Sequence, residues 1–190
     1  VGSEMCIRDR LDDASVTTDR YLTYSAEAST ALALDANWMI VGDDENQGLR
    51  TYSRTNSGAP VATTDVTSLL GLTDISGGVP REVDIEGSTR AGNTLYFMGS
   101  HSNSSGGSLR PNRSRLFAMT VTGTGAATTL SYVGRYDTLK TDLIAWDTAN
   151  GHGLGANALG LGAAAANGVI PEQGGYNMEG LTFLPGSTIN

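Results

Sequence analysis

One string recurs along the chain, as Glu27-Ala-Ser-Thr30, Glu86-Gly-Ser-Thr89 and Glu179-Gly-Leu-Thr182, and each copy is followed by a turn-forming segment. In the first two copies a second apolar run comes next, over residues 31–42 and 90–99, and ends in a glycine. A polar loop follows the glycine, Asp43-Asp-Glu-Asn46 in one copy and Ser100-His-Ser-Asn103 in the other. Self-similarity on this scale marks a fold made by repeating one supersecondary unit. The third copy enters at Asn177-Met-Glu-Gly180, takes Leu184-Pro-Gly-Ser187 as its turn, and is expected to be cut at Asn190.

Apolar runs between Gly, Asn, Asp and Ser clusters set the fold class. They are Ala31 to Leu34, Trp38 to Val41, Leu49 to Tyr52, Leu95 to Met98, Leu116 to Val121 and Leu130 to Val133. Short runs at such spacing predict strands of an all-β sandwich, barrel or propeller rather than βαβ units. Asp35-Ala-Asn37 and Ala91-Gly-Asn93 supply residues that tolerate tight hairpin turns. The repeat then selects a partial β-propeller of four-stranded blades over residues 25–190, incomplete because a propeller must close to hide its edges. One stretch departs from this pattern. Leu139, Leu143 and Ile144 behind a cap at Asp137 predict a short helix, within a helical insertion over residues 138–166. The Gly/Ala/Leu/Asn tract that continues it has no uninterrupted apolar run of about 18 residues, so no membrane insertion is expected.

Residues 1–10, Val1-Gly-Ser-Glu-Met-Cys-Ile-Arg-Asp-Arg10, resemble a translated sequencing adapter of the kind found in metagenomic reading frames. They are set apart as a foreign leader, with residues 11–24 as a lead-in. The only cysteine, Cys6, goes with them, which leaves no disulfide framework, Cys-ligated zinc or thiol chemistry in the rest. The 190 residues carry 12 Lys+Arg against 20 Asp+Glu, a net charge of -8. That field is a poor match for nucleic acid. Arg-dominated basic residues and abundant Gly, Ser, Thr and Asn fit an exported bacterial β-protein, so a periplasmic or secreted location is expected.

Four oxygen-bearing side chains belong to the Glu-Gly repeats. On a strand, residues i and i+2 face the same way, so Asp84 projects with Glu86, and Asn177 with Glu179. Converging hard oxygens would bind Ca2+ or another divalent metal, and Asp43 and Asp44 add carboxylates at one rim. The alternative is that each Glu caps backbone N–H groups or pairs an arginine to join neighbouring units. Arg110, Arg113 and Arg115 suit bidentate contact with a small anionic ligand or substrate, or else neutralise Asp84, Glu86 and Glu179. Glu86 and His101 are the candidates for acid–base catalysis, His101 being alternatively a metal ligand or a hydrogen-bonded loop residue. Ser100 and His101 are neighbours that point apart on an extended chain, so they are no nucleophile–base pair, and no nucleophile elbow is present. His152, between Gly151 and Gly153, reads as exposed.

Val83-Asp-Ile-Glu-Gly87, Leu95-Tyr-Phe-Met-Gly-Ser-His-Ser102, Arg110-Pro-Asn-Arg-Ser-Arg-Leu-Phe117 and Tyr176-Asn-Met-Glu-Gly-Leu181 together resemble the bacterial domain of unknown function 3616 family. Its members look like β-propellers and are more distantly similar to esterase-like phytases. The resemblance implies a fold and no activity. Two functions therefore stand at this level: a metal-assisted hydrolase of phosphoesters or other anionic esters, and a non-catalytic binding or scaffold propeller module.

Overall fold

The computed structural model describes residues 20–184. The leader at 1–10, the lead-in up to residue 19 and the chain beyond Leu184 lie outside the described residues. Four strands, β1 (Ala28–Ala33), β2 (Trp38–Asp43), β3 (Gly48–Ser53) and β4 (Ala62–Asp65), form an antiparallel sheet in the order β1-β2-β3-β4. A small hairpin follows, β5 (Ile75–Ser76) with β6 (Val79–Pro80). The second four-stranded sheet holds β7 (Ile85–Ala91), β8 (Thr94–Gly99), β9 (Leu116–Thr122) and β10 (Thr129–Tyr136) in the order β10-β9-β8-β7. The protein is therefore all-β, in two successive open meanders.

Every apolar run named above lies largely within a strand. The turns form as their residues require. Asp35 Oδ1 accepts the backbone N–H of Asn37 (2.7 Å) and Trp38 (3.0 Å), closing an Asx turn before β2. Ala91 pairs directly with Thr94, which leaves Gly92-Asn93 as the β7–β8 loop with Gly92 at φ +58°. β4, Ala62-Thr-Thr-Asp65, gave no apolar signal because it is an edge strand held by its ladder to β3.

The sheets pack face to face. Ile40 and Leu49 of the first meet Ile85, Leu95, Phe97, Phe117 and Met119 of the second, all essentially without exposure. The Phe97 and Phe117 rings stack with centroids 5.4 Å apart. Each such side chain contributes about 1.5–3 kcal/mol on burial. Consecutive residues of β2 serve opposite faces: Ile40 points into this core, while Val41 joins Leu22 and Tyr52 behind the sheet. There the Tyr52 hydroxyl donates to the Thr23 carbonyl at 2.6 Å. The central strands β2 and β3 are buried on both faces.

The helical insertion forms as α1 (Leu139–Thr148) and α2 (Leu161–Ala164). Its start differs from expectation by one residue: Thr138 occupies the cap position and donates Oγ1 to Asp142 Oδ2 (2.7 Å). Asp137 turns instead to Arg115 (3.5 Å) and Arg135 (2.8 Å). Asp147, fully buried, organises the remainder by accepting the N–H groups of Leu159 and Leu161, each at 3.0 Å. His152 Nε2 also donates to Asp147 at 3.0 Å, and its ring meets Trp146 edge-on. His152 is thus enclosed rather than exposed. Burial alone would raise the Asp147 carboxyl, but these hydrogen bonds outweigh it and hold the group below the usual carboxylate range. Among the described residues, no helix is long and apolar enough to cross a membrane.

Candidate metal centre

Three carboxylates from two segments converge where the sheets adjoin. Asp44 follows β2, Asp84 precedes β7, and Glu86 lies within β7; one oxygen of each lies within 4.8 Å of the others. The i, i+2 spacing brings Asp84 and Glu86 together by a route other than a regular strand. Asp84 adopts φ +60°, a conformation that Asp tolerates better than most residues. Its carbonyl accepts the Ser100 N–H at 2.8 Å, which fixes that kink. The β7–β8 register then shifts between Ile85 and Gly87, so Glu86 sits at a bulge, a device that re-aims a side chain.

The electrostatics follow from this crowding. Burial, then the charges of Asp84, Glu179 and Asp44, raise Glu86 to about 7. Burial, then Glu27, Asp43, Asp84 and Glu45, raise Asp44 to about 6. Asp44 Oδ1 is buried and meets no donor among the described residues. Asp84 differs, because its Oδ2 lies 2.9 Å from Arg113 Nη1. Among the described residues, the other two carboxyls have no ion-pair partner.

The third Glu-Gly segment reaches the same place. Met178 N–H donates to the Ser100 carbonyl at 2.8 Å, and Phe183 meets the Tyr96 ring edge-on at 5.4 Å. Gly87 allows this approach: a Cβ there would lie 2.9 Å from Leu181 N and 3.0 Å from the Gly180 carbonyl carbon. Asn177 Nδ2 donates to Glu179 Oε1, so those two side chains do face one way, both exposed. Glu179 contributes charge to Glu86 from beside the three-carboxylate group.

The other proposed site residues have different occupations. Asp43 is 1% exposed and is engaged by Ser25 Oγ (3.0 Å), Glu45 N (3.1 Å), Asn46 Nδ2 (2.9 Å) and Arg50 Nη1 (3.5 Å). It shapes the loop that carries Asp44. Arg113 bridges Glu82 (3.0 Å) and Asp84 (2.9 Å) and also donates to Ser102 Oγ and the Asn103 carbonyl. Arg115 donates to the carbonyls of Leu70, Gly71, Pro111 and Ser114. Arg110 and Arg115 line one cleft, whereas Arg113 is outside its lining and is committed to Glu82 and Asp84.

His101 has no exposure and adopts φ +57°. Its Nδ1–H donates to the Gly99 carbonyl at 2.7 Å, since a carbonyl can only accept. Burial, ahead of the Lys140 and Arg115 charges, pushes the imidazole pKa down. The imidazole is thus enclosed in the described structure. The loop Ser100-His-Ser-Asn103, polar in sequence, is a buried hub: Asn103 Nδ2 donates to the carbonyls of Ala166 (2.8 Å) and Val169 (3.0 Å), and Lys140 Nζ to that of His101 (3.0 Å). These bonds fasten the insertion to the second sheet. Sequence reasoning passed over Lys140 and Asn112, whose partners are 31–39 residues away, and Asp147, whose partners follow within 14 residues in the irregular chain after α1.

Residues 27–114 match one known protein family, described as Protein of unknown function (DUF3616). This part of the chain belongs to the DUF3616 family. The DUF3616 region contains the whole first sheet, β7, β8 and all three clustered carboxylates; Arg115, the insertion, Asn177 and Glu179 fall after it. No curated protein and no solved structure matches the chain.

Proposed function

We propose that this DUF3616 protein is a repeat-built binding module that takes a divalent cation of the Ca2+ type through Asp44, Asp84 and Glu86. The observation that carries this reading is the convergence of three carboxyl oxygens, one from the loop after β2 and two from the start of β7, within 4.8 Å. Like charges held so close oppose one another at neutral pH, and a dication reverses the sign of that interaction. Ca2+ accepts hard oxygens at about 2.3–2.6 Å, so two of its ligands can stand up to about 5 Å apart. The exposed Glu179 and Asn177 lie beside the cluster as further oxygen donors.

In this reading the two meanders are successive blades of a β-propeller, and the cation joins them to the third Glu-Gly segment. Support comes from their face-to-face packing, from the Thr30 Oγ1–Ser88 Oγ hydrogen bond of 2.5 Å between β1 and β7, and from the seating of Met178 to Phe183 beside β7 and β8. A Ca2+-dependent joint suits an extracytoplasmic protein, whose surroundings can fill a site of modest affinity.

Metal-assisted hydrolysis of an anionic ester is the second reading, and Glu86 favours it: a carboxyl at about 7 is matched to general-base work near neutral pH. Calorimetric titration of Ca2+ into chelator-treated protein distinguishes the outcomes. Saturable binding is expected, weakened about tenfold or more, roughly 1.4 kcal/mol, by Glu86→Gln and by Asp84→Asn and unchanged by Asp35→Asn. Absence of binding, or binding indifferent to both cluster variants, overturns the cation site. Metal-dependent turnover of p-nitrophenyl phosphate or acetate that Glu86→Gln abolishes would establish the second reading.

A further inference from the structure

A cleft apart from the carboxylate cluster lies between the 109–115 loop and the start of α1. Leu109, Arg110, Pro111, Arg115, Asp137 and Lys140 line it. Its charge is opposite to that of the molecule: in a chain of net charge -8, this wall carries Arg110, Arg115 and Lys140 against Asp137 alone. Asp137 is already engaged by Arg115 at 3.5 Å and Arg135 at 2.8 Å. Arg115, bonded to four backbone carbonyls, contributes charge more than free donors.

Arg110 and Lys140 are placed differently. Among the described residues neither takes part in an ion pair. Arg110 Nη1 donates to the neighbouring Leu109 carbonyl at 3.3 Å, which leaves most of its fork uncommitted. Lys140 Nζ donates to the His101 carbonyl at 3.0 Å, one bond for a group with three N–H donors. Lys140 is half-buried, and a desolvated cation without counter-charge is unfavourable. Thr138 makes no side-chain capping bond to the start of α1, so the positive end of that helix adds to the same wall.

We propose that this cleft binds a small oxyanion, the phosphate or carboxylate group of a solute, between the Arg110 guanidinium and the Lys140 ammonium. The fork and the point charge supply complementary donors to acceptor oxygens, and Leu109 and Pro111 flank whatever apolar part the solute carries. The site shares no residue with the carboxylate cluster and needs no metal.

The test is a calorimetric titration of the full 190-residue chain in EDTA with inorganic phosphate and, separately, with acetate, against chloride at matched ionic strength. Saturable binding of at least one oxyanion is expected, weakened about tenfold or more by Arg110→Ala and by Lys140→Met and unaltered by Arg54→Ala. Binding of phosphate alone assigns a phosphate group, and binding of acetate alone a carboxylate. Lys140→Met also removes the bond to His101, so Arg110→Ala decides the matter if that variant does not fold. No saturable binding beyond chloride, or equal binding by the Arg110→Ala chain, overturns the proposal.

Discussion

Replacing Glu86 by glutamine is expected to stabilise the cation-free protein near neutral pH and to reduce its stabilisation by Ca2+ by about half. Burial and the charges of Asp84, Glu179 and Asp44 hold the Glu86 carboxyl at about 7, against an ordinary 4.5. A group whose folded pKa is raised keeps its proton in the folded chain where the unfolded chain has released it. Its contribution is fully present below the ordinary value and is lost as pH rises through about 7. Asp44 behaves likewise between its ordinary 3.8 and about 6. Cation-free protein therefore melts at lower temperature as pH rises across this window. Because both groups are partly solvated, the loss is on the order of 1–2 kcal/mol each after screening.

Glutamine removes the charge and with it the repulsion. Ca2+ at about 100 times its dissociation constant adds roughly 2.7 kcal/mol, or about 5–10 °C in Tm for a chain of this size. Protons compete for the same oxygens, so the Ca2+ shift shrinks toward about pH 5. Thermal melts in EDTA and in Ca2+ at several pH values check all of this. A Glu86→Gln protein that melts below the parent in EDTA would instead make Glu86 a stabilising partner of its neighbours.

Asn112→Ala should be among the most damaging substitutions on the polar residues of this fold. Asn112 is fully buried; its Oδ1 accepts the N–H groups of Thr73 and Asp74, both at 3.0 Å, and its Nδ2 donates to the carbonyls of Asp74 and Arg81, both at 2.9 Å. One amide thus fastens both ends of the β5–β6 hairpin to the 111–113 turn. Removing it takes a bond from four backbone groups, of which the Asp74 carbonyl keeps the Arg81 N–H, a loss of about 3–5 kcal/mol once some water enters. Asn112→Asp is also destabilising, because a carboxylate cannot donate to the two carbonyls. Arg110→Ala, two residues away, is expected to change stability by less than about 0.5 kcal/mol. Urea unfolding measures the contrast, and a loss below about 1 kcal/mol for Asn112→Ala would refute this role.

Asn112 also marks the limit of what its sequence neighbourhood reveals. Apolar runs and turn residues are local, so β1, β2, β3, β8, β9 and β10 and the hairpins at Asp35 and Gly92 were legible. Partners distant in sequence were not. Arg115 reads as an anion ligand until the Leu70 and Gly71 carbonyls are seen beneath it, and Asp137 as a cap until Arg115 and Arg135 claim it. The Ser100-His-Ser-Asn103 loop looks solvated by composition yet is buried, because the side chains of Arg113 and Lys140 donate to it and the carbonyls of Arg113, Ala166 and Val169 accept from it. The pairing of Asp84 with Glu86 was anticipated from strand alternation but arises from a left-handed residue followed by a bulge.

A crystal of the protein grown in Ca2+, with diffraction recorded at a wavelength where calcium scatters anomalously, tests the cation site most directly. One anomalous peak is expected about 2.3–2.6 Å from oxygens of Asp44, Asp84 and Glu86. A map with no peak there, while those three carboxylates remain together, would contradict it.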